Sequence, residues 1–81
     1  MPQITVKVIE GVFSGAQKRQ IVQSLTDTMV EIEGEALRPY TLVLIEEIKS
    51  GDWCVGGNPI TTQDVKAIAS GRAPAEHAVA T

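Results

Sequence analysis

The chain contains few of the residues that build disulfides, metal sites and aromatic cores. Among its 81 residues there is one cysteine, one histidine, and one each of tryptophan, tyrosine and phenylalanine. A lone cysteine excludes an intrachain disulfide, which suits a reducing cytoplasm, and Cys54 is predicted to be a small buried apolar residue. The only histidine, His77, falls in the tail at 72–81, so neither a zinc site nor a Cys–His nucleophile pair is expected.

Charge and hydropathy exclude two further classes of protein. Ten acidic against seven basic residues give a net charge of -3. No cluster of lysine and arginine is present, so neither a nucleic acid nor an anionic membrane is an expected partner. The sequence has no apolar run of transmembrane length, and no signal peptide is recognised. We expect one small domain over residues 1–71 and a flexible tail at 72–81.

Hydrophobic periodicity predicts a strand followed by a long helix. Apolar residues alternate with polar ones from Ile4 onward, and this first strand is expected to end at Glu10. Ser14 and Gln17 then have the Ser-x-x-Gln spacing of a capping box. The helix that follows carries one apolar stripe, formed by Ile21, Val22, Leu25, Met29 and Ile32. Gly34 is predicted to end it.

Beyond the helix, the sequence predicts a second strand. Pro39 forbids a continued helix, and residues 41–45 form an apolar β run typical of a strand that is covered on both faces. Strand, helix and strand together make a β-α-β unit with parallel strands. Because such a two-stranded sheet leaves one face and both edges bare, we expect two copies to pair edge to edge and further copies to cover the bare face.

The segment at 50–59 is rich in glycine and predicts a short hairpin arm with Trp53 and Val55 as its apolar contacts. Trp53 either plugs a core or subunit contact or forms the wall of a pocket, because aromatic anchors serve both purposes. After the arm, the segment from Thr61 to Asp64 is expected to cap a small helix that ends at Gly71.

Pro2 is the first candidate for chemistry. Removal of an initiator methionine is favoured before so small a residue, and it would leave the secondary amine of Pro2 at the start of the first strand. A free α-amino group has an ordinary pKa of about 7.7 to 8.0 and acts as a base or as a nucleophile. Read by itself, the Met1-Pro2 pair favours a proline that merely begins an edge strand.

Taken in order, these features resemble the 4-oxalocrotonate tautomerase family. The shared set is Pro2 leading a strand, Glu10-Gly11 at its end, the capped helix, a second strand ending in Glu46-Glu47, and a Gly-x-Trp-x-x-Gly-Gly arm, over about residues 2–57. The resemblance implies an α/β (α+β) protomer of β-α-β form, assembled as a homohexamer (a trimer of dimers) or a similar oligomer. It also implies Pro2 as general base, with no cofactor, in the interconversion of enol and keto acids.

Two positions depart from the family pattern. Members that process dicarboxylates carry an arginine just after the Glu-Gly of the first strand and another inside the second strand. Here those positions are Val12 and Leu42, neither of which can donate a charge-assisted hydrogen bond. With Trp53 retained as the family's aromatic residue, the resemblance implies a more apolar pocket. The expected substrate is a monocarboxylate or an aryl or alkyl carbonyl compound.

Donors to an enolate oxygen must then come from other groups. The resemblance places the backbone amide of Ile9 in the oxyanion position. Tyr40 is the best side-chain donor or else a surface tyrosine, and Arg38 is a contact for the carboxylate or else a solvated cation. Two other functions stay open. One is iminium-forming, hydratase or dehalogenase chemistry at the same proline, and the other is a catalytically silent oligomeric binding module.

Overall fold

The computed structural model describes residues 1–71, so the predicted tail at 72–81 lies outside the described residues. In that part of the chain the elements are, in order, β1 (Gln3–Ile9), α1 (Gly15–Glu33), a 3-10 helix (Glu35–Tyr40), β2 (Leu42–Ile48), β3 (Trp53–Val55), β4 (Asn58–Ile60) and α2 (Thr62–Ala69). None of the helices described is long and apolar enough to cross a membrane. The predicted order of elements is confirmed, and the 3-10 helix is an addition to it.

The strands β1 and β2 form a two-stranded sheet, and two backbone hydrogen bonds give their relative direction. Near the start of β1, the amide of Leu42 donates to the carbonyl of Pro2 over 3.1 Å. Beyond its end, the amide of Glu10 donates to the carbonyl of Ile48 over 2.8 Å. Both strands therefore advance together between the two bonds, as parallel pairing requires. With α1 as the connection, the predicted β-α-β unit is confirmed.

Helix α1 begins and ends where the sequence predicts. The hydroxyl of Ser14 accepts from the amide of Gln17, and the Gln17 side chain accepts in return from the amide of Ser14. This reciprocal pair satisfies two amides that no helix carbonyl can reach. At the other end Gly34 caps the helix with φ of 104°, a backbone conformation that is strained for residues with a Cβ atom.

The predicted apolar stripe of α1 is wrong at one position. Val30 is the buried residue of this helix, whereas Ile32 is 79% exposed. Ile32 lies on the same side of α1 as Ile21 and Leu25. Ile21, Leu25 and Phe13 line an open groove of about 370 Å³. The apolar arc of α1 is thus wider than the strip that its own two-stranded sheet covers.

Pro39 lies inside the 3-10 helix, where the sequence predicts only an interruption. A 3-10 helix is short and forms few internal hydrogen bonds, so the missing amide of one proline removes little from it. The amide of Thr41 donates to the carbonyl of Arg38 at the end of this turn, and β2 follows directly. The prediction that no α-helix continues through Pro39 is confirmed.

The chain divides into two compact units. Within the described residues, the first comprises residues 1–7 and 13–46, and the second comprises residues 8–12 and 47–71. In the second unit, β3 and β4 form an antiparallel hairpin that places Trp53 opposite Ile60. Its turn is made by Gly56 and Gly57, both with positive φ, as a two-residue turn between twisted strands requires.

The small helix α2 has the predicted cap. The hydroxyl of Thr61 accepts from the amide of Asp64, and the carboxylate of Asp64 accepts from the amide of Thr61. Buried apolar residues of the second unit are Val8, Ile9 and Ile60. The prediction that Cys54 is buried is wrong, because its thiol is exposed. In a strand, neighbouring side chains point to opposite faces, so Cys54 faces away from the side that carries Trp53.

A cluster of charges in the first unit fastens the 3-10 helix to α1. The Nη1 atom of Arg38 lies 2.8 Å from Oδ1 of Asp27, and its Nε atom lies 2.7 Å from Oε1 of Glu35. The hydrogen bond from Arg38 holds the pKa of Asp27 below its ordinary value. Close by, the hydroxyl of Thr41 donates to the carboxylate of Glu33 and also contacts the carbonyl of Leu37.

Replacing Asp27 by asparagine tests this cluster. We expect Asp27→Asn to lower the Tm slightly at pH 7, because the variant keeps the shape of the side chain and loses its charge. A depressed carboxyl pKa stabilises the fold above the ordinary aspartate pKa of about 3.9. That stabilisation disappears as the pH falls through the depressed value. The difference in Tm between wild type and variant should therefore decrease towards zero as the pH is lowered, as measured by thermal denaturation at fixed protein concentration.

The control for this prediction is Glu31→Gln, which removes the same charge from an exposed position of α1. Equal decreases in Tm for the two variants at pH 7 would show that the effect is one of net charge rather than of the contact with Arg38.

Candidate functional site

Pro2 lies at the head of β1 in the first unit and is half-buried. Its carbonyl accepts the hydrogen bond from the amide of Leu42, which fixes the peptide that leads into the strand. Met1 is 87% exposed, so the bond between Met1 and Pro2 lies next to an accessible residue. While Met1 is attached, the nitrogen of Pro2 is an amide nitrogen and has no basic lone pair. Basicity at this position requires removal of Met1.

Leu42, the first residue of β2, and Tyr40, the last residue of the 3-10 helix, are both exposed, at 49% and 58%. Ile45 lines a groove together with Val22 of α1, so it lies on the face of β2 that α1 covers. Side chains alternate along a strand, which puts Leu42 and Leu44 on the other, uncovered face. The position at which the family resemblance implies an arginine is therefore an apolar surface in the protomer.

Arg38 is in the same unit, but its guanidinium is already occupied. It donates from Nη1 to Asp27 and from Nε to Glu35, with a longer contact of 3.4 Å from Nη2 to Glu35. Hydrogen bonds to Glu35 and Asp27 raise the pKa of Arg38 above its ordinary value. A substrate carboxylate would have to compete with two carboxylates of the protein. Its contact with substrate stays a prediction.

Ile9, Val12 and Trp53 belong to the second unit. The amide of Glu10 donates to Ile48 of β2, and successive amides of a strand point to opposite edges. The amide of Ile9 is thus directed to the edge of β1 that faces away from β2. Trp53 is half-buried opposite the buried Ile60, which gives it a packing role in the hairpin and leaves open the predicted role as a pocket wall.

Three residues that the sequence did not identify as site residues, Glu10, Ser50 and Thr62, hold the segment between Ile9 and Val12. The hydroxyl of Thr62 donates to the carbonyl of Glu10 over 2.6 Å, and the amide of Thr62 donates to the hydroxyl of Ser50 over 2.9 Å. The amide of Ser50 donates in turn to Oε1 of Glu10 over 3.2 Å. The capping pattern at Thr61 locates the start of α2, but no local pattern joins residues this far apart in sequence.

The open grooves along α1 contain none of the predicted site residues. One is lined by Phe13, Ile21 and Leu25 with polar neighbours, and the other by Val22 and Ile45 with Lys18, Arg19 and Gln23. Within residues 1–71, no group of three His, Cys, Asp or Glu side chains could hold a metal ion. The first unit brings Pro2 next to Leu42, and the second holds Ile9 and Val12 on one fastened segment.

Comparison with known proteins identifies the family. Residues 2–63 match the family described as "Tautomerase enzyme". The curated protein "Probable tautomerase K2" of Dickeya dadantii (strain 3937) is 26% identical over 61 residues, which are 75% of this chain and 90% of that protein.

Two solved structures share the fold. The crystal structure of YwhB, a homologue of 4-oxalocrotonate tautomerase, superposes with a TM-score of 0.63 at 32% identity, over 78% of this chain and 97% of that one. A structure from work on the 4-oxalocrotonate tautomerase isozymes of Methylibium petroleiphilum has the same TM-score of 0.63 at 23% identity, over 79% and 97% of the two chains, and shows the fold alone. The chain belongs to the tautomerase family and is an enzyme of the isomerase class.

Proposed function

We propose that the protein is a cofactor-independent tautomerase in which Pro2, once Met1 is removed, is the general base. The observation that carries the proposal is the position of Pro2 at the head of β1, with its carbonyl held by Leu42 and an exposed Met1 before it. A secondary amine at this point has its carbonyl side anchored in the sheet while its nitrogen ends the chain. Such a fixed base can be aimed at one substrate atom.

In the proposed reaction, neutral Pro2 removes a proton from the hydroxyl of an enol or from a carbon next to a carbonyl group. Negative charge then develops on the substrate oxygen. The amide of Ile9, directed away from β2, and the hydroxyl of Tyr40 are the proposed donors to that oxygen. The protonated Pro2 returns the same proton to another atom of the substrate, so the amine is regenerated and no net proton is consumed.

The proposed substrate is an enol or keto monocarboxylate or a related aryl or alkyl carbonyl compound. Val12 and Leu42 are apolar at the positions where the family resemblance implies arginines, and Arg38 is held by Asp27 and Glu35. The second carboxylate of a dicarboxylate substrate would lose its hydration at such a surface without gaining a cation as partner. This desolvation would weaken binding of the dicarboxylate. Trp53 is proposed to supply an apolar wall that suits an aryl group.

We further propose that the protein assembles as a homohexamer, a trimer of dimers. Leu42 and Leu44 expose an apolar sheet face, and Tyr40, two residues before Leu42 in the chain, is also exposed. A parallel sheet is rarely stable with a bare face, so other copies are the proposed cover, and they would complete the substrate pocket. We place the enzyme in the cytoplasm, where the exposed thiol of Cys54 would stay reduced.

The role of Pro2 is tested with phenylenolpyruvate, an aryl enol monocarboxylate whose ketonisation is followed by ultraviolet absorbance. Intact mass first establishes that Met1 is absent. We expect Pro2→Ala to lower kcat/KM by about 10²-fold or more, the usual contribution of a positioned general base. Pro59→Ala, which changes a proline of the hairpin, is the matched control and should leave the rate within about 2-fold.

Equal rates for wild type and Pro2→Ala would contradict the proposed base. Trapping of a carbonyl compound on Pro2 by borohydride would point instead to iminium chemistry. A retained Met1 together with no activity would point to a catalytically silent binding module.

Substrate selectivity is tested by restoring a cation. We expect Leu42→Arg to raise the ratio of kcat/KM for an enol dicarboxylate over that for phenylenolpyruvate by about 10-fold, because a charge-assisted hydrogen bond to the second carboxylate becomes possible. Leu44→Arg adds the same charge two residues along the same exposed face and is the control. Equal changes in the two variants would mean that only net charge matters, and the proposed place of Leu42 at the substrate would be wrong.

A further inference from the structure

Helix α2 extends the chain beyond the segment that matches the family. The family match ends at residue 63, and α2 runs from Thr62 to Ala69. The crystal structure of YwhB is covered over 97% of its own length by 78% of this chain, so about a fifth of this chain has no counterpart there. The first residue of α2, Thr62, lies just inside the family match and contacts the part of the chain that carries two proposed site residues, Ile9 and Val12.

Thr62 makes three separate contacts with its surroundings in the second unit. Its hydroxyl donates to the carbonyl of Glu10 over 2.6 Å, and its amide donates to the hydroxyl of Ser50 over 2.9 Å. Its methyl group lies against Gly11, where an added Cβ atom would come within 3.2 Å of Cγ2 of Thr62. Gly11 has φ of 77°, so this turn is shaped for a residue without a side chain.

These contacts leave little freedom to the backbone at Glu10. On one side its amide donates to Ile48 of β2, and on the other its carbonyl accepts from Thr62. The Oε1 atom of Glu10 accepts from the amide of Ser50, which closes a ring of hydrogen bonds with Thr62. The peptide planes on both sides of residue 10 are therefore anchored. Ile9 precedes this anchored residue directly, and Val12 follows it by two positions.

We propose that Thr62 is a positioning residue that holds the segment of residues 9–12, and that α2 thereby sets the orientation of the Ile9 amide and of Val12 toward the substrate. The inference rests on the proposed function, since it is the tautomerase reaction that uses this amide. Misplacing a catalytic donor by a fraction of an ångström lowers the rate of the chemical step more than it lowers substrate binding. The hydroxyl of Thr62 is the group that carries the effect.

The test compares Thr62→Val with Thr62→Ser in the full chain. Valine keeps the branched shape and the methyl contact with Gly11 but loses the hydroxyl, whereas serine keeps the hydroxyl and loses the methyl group. We expect Thr62→Val to lower kcat for phenylenolpyruvate by about 10-fold with KM changed by less than about 2-fold, as for the loss of one strong hydrogen bond that aligns a donor. Thr62→Ser should retain most of the wild-type kcat, because it keeps the hydroxyl group.

Thr61→Val is the matched control. It removes the hydroxyl that caps α2 through Asp64 but makes no change at Glu10. If Thr62 only stabilises the fold, the two valine variants should lower the Tm and change kcat alike, and the proposal would be overturned. The expected result is a lower Tm for Thr61→Val with kcat within about 2-fold of wild type. Should Thr62→Val fail to fold, Ser50→Ala removes the acceptor of the Thr62 amide and should lower kcat in the same direction.

Hydrogen exchange separates failure of this inference from failure of the proposed function. In Thr62→Val, but not in Thr61→Val, the peptide covering residues 9–12 should exchange its amide hydrogens about 10-fold faster than in wild type. This readout does not depend on activity. A wild type that is inactive on phenylenolpyruvate would count against the proposed function, while unchanged exchange in Thr62→Val would overturn the positioning role of Thr62.

Discussion

Two backbone hydrogen bonds, one at each end of β1, fix the pairing of β1 with β2, and the rest of the structure depends on that pairing. Leu42 donates to the carbonyl of Pro2 at the start, and Glu10 donates to the carbonyl of Ile48 at the end. Parallel strands cannot be joined by a tight turn, so this pairing demands a connection as long as α1 and the 3-10 helix. It also places the Pro2 peptide in the sheet and directs the amide of Ile9 to the opposite edge of the strand. Both features of the proposed chemistry thus follow from the register of one strand pair.

The two units hold the proposed site residues by different means. In the first, Arg38 with Asp27 and Glu35 fastens the 3-10 helix to α1, next to the strand that anchors Pro2. In the second, hydrogen bonds among Glu10, Ser50 and Thr62 fasten the end of β1. Ion pairs between exposed side chains are individually weak, whereas each hydrogen bond of this ring has a backbone group as donor or acceptor and so restricts the backbone directly. The ring is therefore the better candidate for setting catalytic geometry.

Much of the fold could be predicted because its signals are local. The capping boxes at Ser14 and Thr61, the stop at Gly34 and the Gly56-Gly57 turn each depend on residues within four positions of one another. The errors have a different origin. Ile32 is exposed because the apolar arc of α1 exceeds the strip that one sheet covers, and Cys54 is exposed because it lies on the outward face of a short hairpin. Neither fact can be read from periodicity, which reports a face but not what covers it.

By itself, the sequence determined the order of elements and the family. Helix caps, tight turns and the alternation of apolar and polar residues each depend on residues that are close together in sequence. It also led to the proposal of Pro2 as the base and of the apolar residues Val12 and Leu42 as substrate contacts. Only the tertiary structure decided that Arg38 reaches Asp27 in α1 and that Thr62 reaches the carbonyl of Glu10. The physical reason is distance along the chain. Contacts between residues far apart in sequence form only when the strands and helices have packed, and no local preference encodes them.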